Sequence, residues 1–426
     1  MLQDRSVVEE TNELSSGPLV YDLSELLTIG SGKLKYYGIA RVVADIGVEL
    51  FKSNEPVRFV VFSPGHEFFF EVFPRLDPTA YGGVDFGLSK AVPLVRLRSV
   101  FHSSNRMWGG VSSLTHRVIR LVNRRLWIKF RLPVTEIDLR GARIISAARP
   151  KMMVPMLKMR DQKKLSYHFY PLLHDVIPLH DYDERRSQGF PKNFLGDTAF
   201  VMSRSSHLIA NSKFTKKDIV LFSSAGMLPK IKGISEVPLA HECREGCEDP
   251  AVPILETPFI LTVGSQVGRK NLEVVLEALL RLKKNNEPIP HLVLAGARRD
   301  HIIKFLAQKK YVSIQDKITY VFDPSQTDLV RLYQTAVALI LPSRIEGWGL
   351  PAAEALWLGT PVICSDIPVM HEVCGESALY FDPDDPLALA QHIENCLRGE
   401  RPPPKPRREL RTWQTVARDL LDVICR

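Results

Sequence analysis

Two carboxylates eight positions apart, Glu346 and Glu354, bracket the turn Gly347-Trp348-Gly349-Leu350-Pro351. Gly347 and Gly349 let the backbone approach a ligand closely, and Pro351 suits a helix start, where its missing N–H costs nothing. The amides and the positive end of that helix then face whatever sits above the turn, which favours an anion such as a diphosphate. Glu346 can accept hydrogen bonds from sugar hydroxyls, and Glu354, placed in the first helical turn, can reach a second polyol such as a ribose. Two acceptors flanking an anion site fit a sugar nucleotide. The plainer alternative is that Glu354 complements the helix dipole and Glu346 is a solvated loop acid.

The elements that must hold this turn are legible on either side of it. Val337 to Leu341 is an unbroken apolar run of strand length, so the turn lies at the carboxyl end of a buried parallel strand, where open α/β sheets bind their ligands. A second strand, Phe259 to Val263, runs through Gly264 to Arg269 and Lys270, which are expected to open a helix. The apolar positions of that helix, Leu272, Val275, Leu276, Leu279 and Leu280, recur at helical spacing. Two cations at a helix start oppose its dipole, and a bound anion is a natural reason for them; a solvated helix end is the alternative.

The run Leu341 to Glu354, continued by Ala355-Leu356-Trp357-Leu358-Gly359-Thr360-Pro361-Val362-Ile363, resembles the retaining glycosyltransferases of family 4, whose donor-site signature is Glu, seven residues, Glu. The likeness extends through Glu372-Val373 and Ala378 to Pro383, and backwards to Phe259–Gly264 and Arg269–Leu272. It covers the C-terminal third of the chain well and the rest loosely. The resemblance implies the GT-B fold, an α/β arrangement of two Rossmann-like domains facing across a cleft, with a C-terminal crossover helix. It implies that Arg269 and Lys270 neutralise a donor diphosphate. Gly38, Gly264, Glu346, Gly347, Trp348, Gly349, Leu350 and Glu354 would complete the donor site, and His174 would face the transferred sugar. Many relatives carry Arg directly after the turn glycine; this chain has Ser265 there, and Arg269 is expected to take its role. Retention and a front-face reaction, with the departing phosphate helping to deprotonate the acceptor, follow from the resemblance alone. Likeness to bacterial mannosyltransferases of surface polysaccharides makes GDP-mannose the preferred donor, with UDP-glucose or another sugar nucleotide left open. No cofactor and no metal are expected.

In the N-terminal half, Leu19 to Leu23 (strand), Tyr37 to Phe51 (helix) and Arg58 to Phe62 (strand) start a doubly wound domain. The loop Ile29-Gly30-Ser31-Gly32-Lys33 and the run Gly38-Ile39-Ala40-Arg41-Val42 resemble the family's glycine-rich loop beside the donor phosphates. Tyr167 to Pro171, His174 to Pro178 and Leu208 to Ser212 follow the family's strand-and-turn order. An adjacent Asp175 could instead make His174 an ordinary hydrogen-bonded loop histidine. Asp181-Tyr182-Asp183 has the form of a metal-binding Asp-x-Asp from the other large glycosyltransferase fold, GT-A; a GT-B reading makes it accidental. His241, Cys243 and Cys247 raise zinc, but no second pair follows at finger spacing. The expected division is a flexible stretch 1–16, an acceptor-side domain 17–239, a linker 240–256, a nucleotide-sugar-binding domain 257–398, and a tail 399–426 with a helix from Arg408 to Cys425.

Composition fits: 45% hydrophobic and 24% charged residues are those of a globular protein, and no apolar run approaches the ~18 residues of a membrane span. Met1 to Ser16 is polar, without a signal-peptide core, so a cytoplasmic location is expected. Six cysteines in 426 residues do not suggest a disulfide scaffold. Charge is uneven. Residues 86–170 hold eighteen Lys or Arg against three Asp or Glu, and the stretch Phe86 to Thr135 has no acid at all. Within it Leu114, Val118, Leu121, Val122, Leu126 and Trp127, interleaved with arginines, read as an interfacial helix that docks on an anionic membrane, with a solvated face as the alternative. The sequence thus points to a hexosyltransferase, preferably an α-mannosyltransferase, acting on a lipid-linked or growing saccharide at the inner face of the cytoplasmic membrane. No nucleic-acid partner is expected. The rival readings are a pyridoxal-phosphate phosphorylase of the same fold and a non-catalytic basic membrane or nucleic-acid adaptor.

Overall fold

Short apolar runs alternating with amphipathic helices build two parallel sheets in this computed structural model. It describes residues 17–28, 38–88, 94, 106–180, 190–247, 249–252, 257–264, 268–297 and 300–425. The stretch 1–16, the Gly30–Lys33 loop, Asp181–Asp183 and Ser265 lie outside the described residues. The chain divides into two compact units. The first holds residues up to Asn211, Thr215–Val237 and the chain from Ala417 onward; the second holds Ser212–Phe214 and Pro238–Val416.

The first unit is a seven-stranded sheet of β1 (Leu19–Asp22), β2 (Val57–Ser63), β3 (Phe68–Val72), β6 (Arg143–Ser146), β7 (His168–Leu173), β8 (Leu208–Ala210) and β9 (Ile234–Glu236). A separate two-stranded ribbon pairs β4 (Arg75–Leu76) with β5 (Val84–Asp85). The strand order is β3-β2-β1-β6-β7-β8-β9, parallel except for the β2–β3 hairpin at the edge. Helices α1 (Ile39–Lys52), α2 (Arg106–Lys129), α3 (Pro150–Lys163), α4 (Phe190–Arg204) and α5 (Lys213–Ser224) accompany it. Chain order reverses between β1 and β6, so the loops that follow them flank a crevice at the carboxyl edge.

The second unit repeats the scheme with β10 (Phe259–Val263), β11 (His291–Gly296), β12 (Ile318–Phe322), β13 (Ala338–Leu341), β14 (Val362–Ser365) and β15 (Leu379–Phe381), all parallel. The order β12-β11-β10-β13-β14-β15 is that of a dinucleotide-binding doubly wound sheet. Its switch point falls between β10 and β13, where Ile260 and Leu261 pair with Ala338 and Leu339. Helices α6 (Leu272–Lys284), α7 (Asp300–Leu306), α8 (Gln326–Thr335), α9 (Leu350–Leu358), α10 (Pro368–Cys374) and α11 (Pro386–Leu397) follow the strands, and α12 (Trp413–Cys425) ends the described chain. One face of α6, with Leu272, Val275, Leu276 and Leu279, is buried with Leu292, Ile340, Leu389 and Ile393. Each such side chain contributes about 2 kcal/mol, which fixes α6 and thereby the turn in front of it.

Three expectations change. Helix α6 opens at Leu272, because Asn271 takes a left-handed conformation (φ 52°) as its N-cap; Arg269 and Lys270 are therefore in the turn before the helix. The tail is not one helix from Arg408: a 3₁₀ turn at Arg407–Glu409 precedes α12, where the Thr412 hydroxyl accepts the Thr415 N–H (3.2 Å) and caps the start. Trp127 is no membrane anchor. Its indole is fully buried against Phe70 (5.7 Å between centroids) and His66 (6.2 Å), and its N–H donates to the Pro133 carbonyl (2.7 Å). The Leu114 side chain lies outside those described.

Candidate functional site

The loops after β10 and β13 meet at the switch point of the second unit. The Arg344 N–H donates to the Arg269 carbonyl (2.8 Å), and the Arg269 guanidinium donates to the Ile345 carbonyl (3.3 Å). Glu346 then faces both cations: Lys270 Nζ donates to its Oε1, and Arg269 Nη1 stands 3.6 Å from its Oε2. Glu346 is 7% exposed. Burial by itself would raise its pKa. The charges of Lys270 and Arg269, with the hydrogen bond from Lys270, outweigh burial and hold the carboxyl below its ordinary value. The acid is therefore ionised at neutral pH and presents acceptors only. Lys270 has three N–H donors, enough to keep Glu346 and still meet an anion.

Glu354 is the fifth residue of α9, one position later than the sequence suggests and just past the first turn, since the helix starts at Leu350 after the Gly349 cap. It is 3% exposed, and its Oε2 accepts from the Tyr333 hydroxyl (3.0 Å). Tyr333 is itself placed by α8, whose capping box joins Ser325 and Asp328, and its carbonyl accepts from Thr360 (2.7 Å). Neither Glu346 nor Glu354 is a solvated acid, and Glu354 is a buried acceptor held by Tyr333. Trp348 is buried as well, with its indole N–H 3.4 Å from the Ala240 carbonyl and its ring edge-on to His241. Any ligand contact from Trp348 must then come from its backbone.

Glycine is required at position 349. Its φ is 93°, and a Cβ there would stand 2.3 Å from Met370 Cε. Gly349→Ala should lower unfolding stability by about 2 kcal/mol or more, from left-handed strain and the clash together. Chemical denaturation checks this, and an unchanged midpoint would contradict the reading. Gly264 (φ 72°) and Gly38 (φ 55°, at the cap of α1) also need positive φ but have open space around the missing Cβ.

In the first unit, His174 follows β7. It is buried, and its Nε2 lies 2.7 Å from the Ala147 carbonyl. A carbonyl only accepts, so Nε2 carries the proton and Nδ1 is left as an acceptor. Burial lowers the His174 pKa, partly offset by the Ala147 bond and by Asp175 and Glu25, and favours the neutral ring. Asp22, at the end of β1, is pushed up to about 6 by burial, although Ser24 and Ser146 donate to it (Ser146 at 2.7 Å). His241 is not poised for a metal: Nε2 meets the Val373 carbonyl (3.0 Å) and Nδ1 accepts the Arg411 N–H (3.0 Å).

Ser343, Tyr333 and Asn271 were not singled out from sequence. Asn271 Nδ2 donates to the Pro383 carbonyl (2.7 Å) and pins the turn that carries Lys270. Ser343 stands three residues before Glu346, buried just beyond the strand that ends at Leu341. Tyr333 occupies a core position of α8 with a hydroxyl that needs a partner, which was the available signal.

Residues 249–412 match the family model for glycosyl transferases group 1. O-antigen chain mannosyltransferase RfbU of Salmonella typhimurium is 35% identical over 137 residues, 32% of this chain and 38% of that protein. O-antigen chain mannosyltransferase B of Escherichia coli is 32% identical over 144 residues, 33% of this chain and 37% of that one. The matches thus span well under half the length of these relatives. Sucrose-phosphate synthase from Thermosynechococcus elongatus shares the fold over 96% of this chain and 94% of its own, with TM-score 0.58 and 16% identity. The fold is GT-B, two α/β units each built on a parallel sheet.

Proposed function

We propose that this chain, whose residues 249–412 belong to the glycosyl transferases group 1 family, is a retaining hexosyltransferase that moves mannose from GDP-mannose to a lipid-linked or growing saccharide in cell-surface polysaccharide synthesis. The observation that carries this is the ionised Glu346 held between Lys270 and Arg269 at the switch point of a doubly wound sheet. In this reading Arg269 and Lys270 take up charge on the departing diphosphate, and Glu346 accepts from sugar hydroxyls. Glu354, oriented by Tyr333, accepts from the ribose. Gly264 and the 347–350 backbone cradle the donor, with Gly38 beside its phosphates. His174, with Nδ1 free to accept, is assigned to the reacting sugar. The mannosyltransferase names of the relatives above support the choice of sugar. The basic segment 86–170 is assigned to an anionic membrane, the inner face of the cytoplasmic membrane, where a lipid-linked acceptor resides.

Thermal denaturation with a panel of sugar nucleotides tests the donor. Ligand at a hundredfold excess over Kd adds about 2.7 kcal/mol of stability, so the cognate donor raises Tm by several degrees. GDP-mannose is expected to give the largest rise. A larger rise with UDP-glucose would reassign the donor, and no rise with any member would remove the sugar-nucleotide reading.

A further inference from the structure

Helix α2 carries an exposed face that is both apolar and cationic. Val118, Leu121, Val122 and Ile128 are 52%, 58%, 38% and 71% exposed, and with Arg117, Arg125 and Lys129 they fall on one side at helical spacing. The opposite side packs inward through Asn123 and Trp127, and two other cations are tied down. Arg120 pairs with Glu67 (2.7 Å), and Arg124 Nε donates to the Gly65 carbonyl (2.8 Å). Two further exposed apolar side chains lie on segments next to the helix in the chain or in the sheet it packs on. Thr135 bonds Glu71 of β3 through its carbonyl (2.8 Å) and Phe70 bridges to Glu136, which brings Val134 (66% exposed) beside the end of β3, from which Phe73 (64% exposed) projects. Five large apolar side chains left in water beside cations, in a stretch without a single acid from Phe86 to Thr135, and Phe73 with them, are far from the scattered exposed leucines of an ordinary surface.

We infer that this face, formed by α2 and the ends around Phe73 and Val134, inserts into the headgroup region of an anionic bilayer: Val118, Leu121, Val122, Ile128, Val134 and Phe73 enter the acyl boundary, and Arg117, Arg125 and Lys129 meet lipid phosphates. The inference rests on the membrane reading given above and goes beyond it, since attachment is by apolar insertion and excludes Trp127. A membrane is the occupant because along α2 the apolar residues alternate with cations and never with acids. A protein groove fitted to this face would need anions at the same spacing, whereas anionic lipid supplies them everywhere.

Flotation of the full chain with vesicles of phosphatidylcholine and phosphatidylglycerol tests it. Wild-type protein should float at low salt and remain bound at about 1 M salt, where the Debye length is about 3 Å and purely electrostatic attachment is lost. The variant Phe73→Ser, Leu121→Ser, Ile128→Ser should bind at low salt but lose at least tenfold in partitioning at high salt. All three side chains are mostly in water, so folding is preserved, and the Tm shift with sugar nucleotide confirms it. Arg117→Glu, Arg125→Glu, Lys129→Glu should lose the preference for anionic over neutral vesicles. Wild type stripped completely at high salt overturns insertion and leaves the electrostatic reading standing; no flotation at low salt overturns both. A dimer in light scattering that the serine variant abolishes, without lipid binding, assigns the face to a second copy and overturns the inference. Sugar transfer to a soluble acceptor is unaffected by any of these results.

Discussion

Glu346→Ala is expected to lower kcat by about three orders of magnitude, while Glu354→Ala mainly raises KM for the sugar nucleotide. The difference follows from what each carboxylate meets. Glu346 is ionised and flanked by the two cations assigned to the leaving diphosphate, so its loss removes an acceptor at the reacting sugar. It also frees Lys270 and Arg269 from the partner that orients them. Glu354 sits further along α9, fixed by Tyr333, and its assigned contact is to the ribose, which is bound alike in ground and transition states. Steady-state kinetics on both variants separate the roles. Wild-type rates in Glu346→Ala would sink the site assignment, and equal losses of kcat in both would merge them.

Lys270→Ala should lose at least about 2 kcal/mol of transition-state stabilisation, roughly thirtyfold in kcat/KM, because a charge-assisted contact to a desolvated diphosphate is worth that much. Two effects add in the same direction. The phosphate loses a donor, and Glu346 loses the largest of the charges that hold its carboxyl low, leaving only Arg269 at 3.6 Å. Activity should survive EDTA, since side-chain cations serve the diphosphate. A strict Mg²⁺ or Mn²⁺ requirement would turn attention to Asp181-Tyr182-Asp183.

Much of this was legible because the signals are local. The apolar runs Phe259 to Val263 and Val337 to Leu341 and the Gly349-Leu350-Pro351 turn are written in consecutive residues, and so the doubly wound class follows from them. Arg269, Lys270 and Glu346 could each be named, but not the ion pairs of the two cations with Glu346, which join positions 76 and 77 residues apart through the switch point. The misreadings share a cause. Helix α6 was extended back over Arg269 and Lys270 because periodicity says nothing about a left-handed Asn271. Trp127 was read as an anchor because it lies near an apolar stripe, yet at helical spacing it is turned about 100° or more away from Ile128 and Leu121 and enters the core. Tyr333 escaped notice since a hydrogen bond to a carboxylate 21 residues further on leaves no spacing pattern.

The most direct test of the central claim is release of nucleoside diphosphate from GDP-mannose by the purified chain supplied with lipid-linked saccharide, with Glu346→Ala run in parallel. The account predicts release together with mannose appearing in the acceptor, and about a thousandfold less of both in the variant. Release at equal rates in the two proteins, or none from GDP-mannose or any other sugar nucleotide, would contradict it.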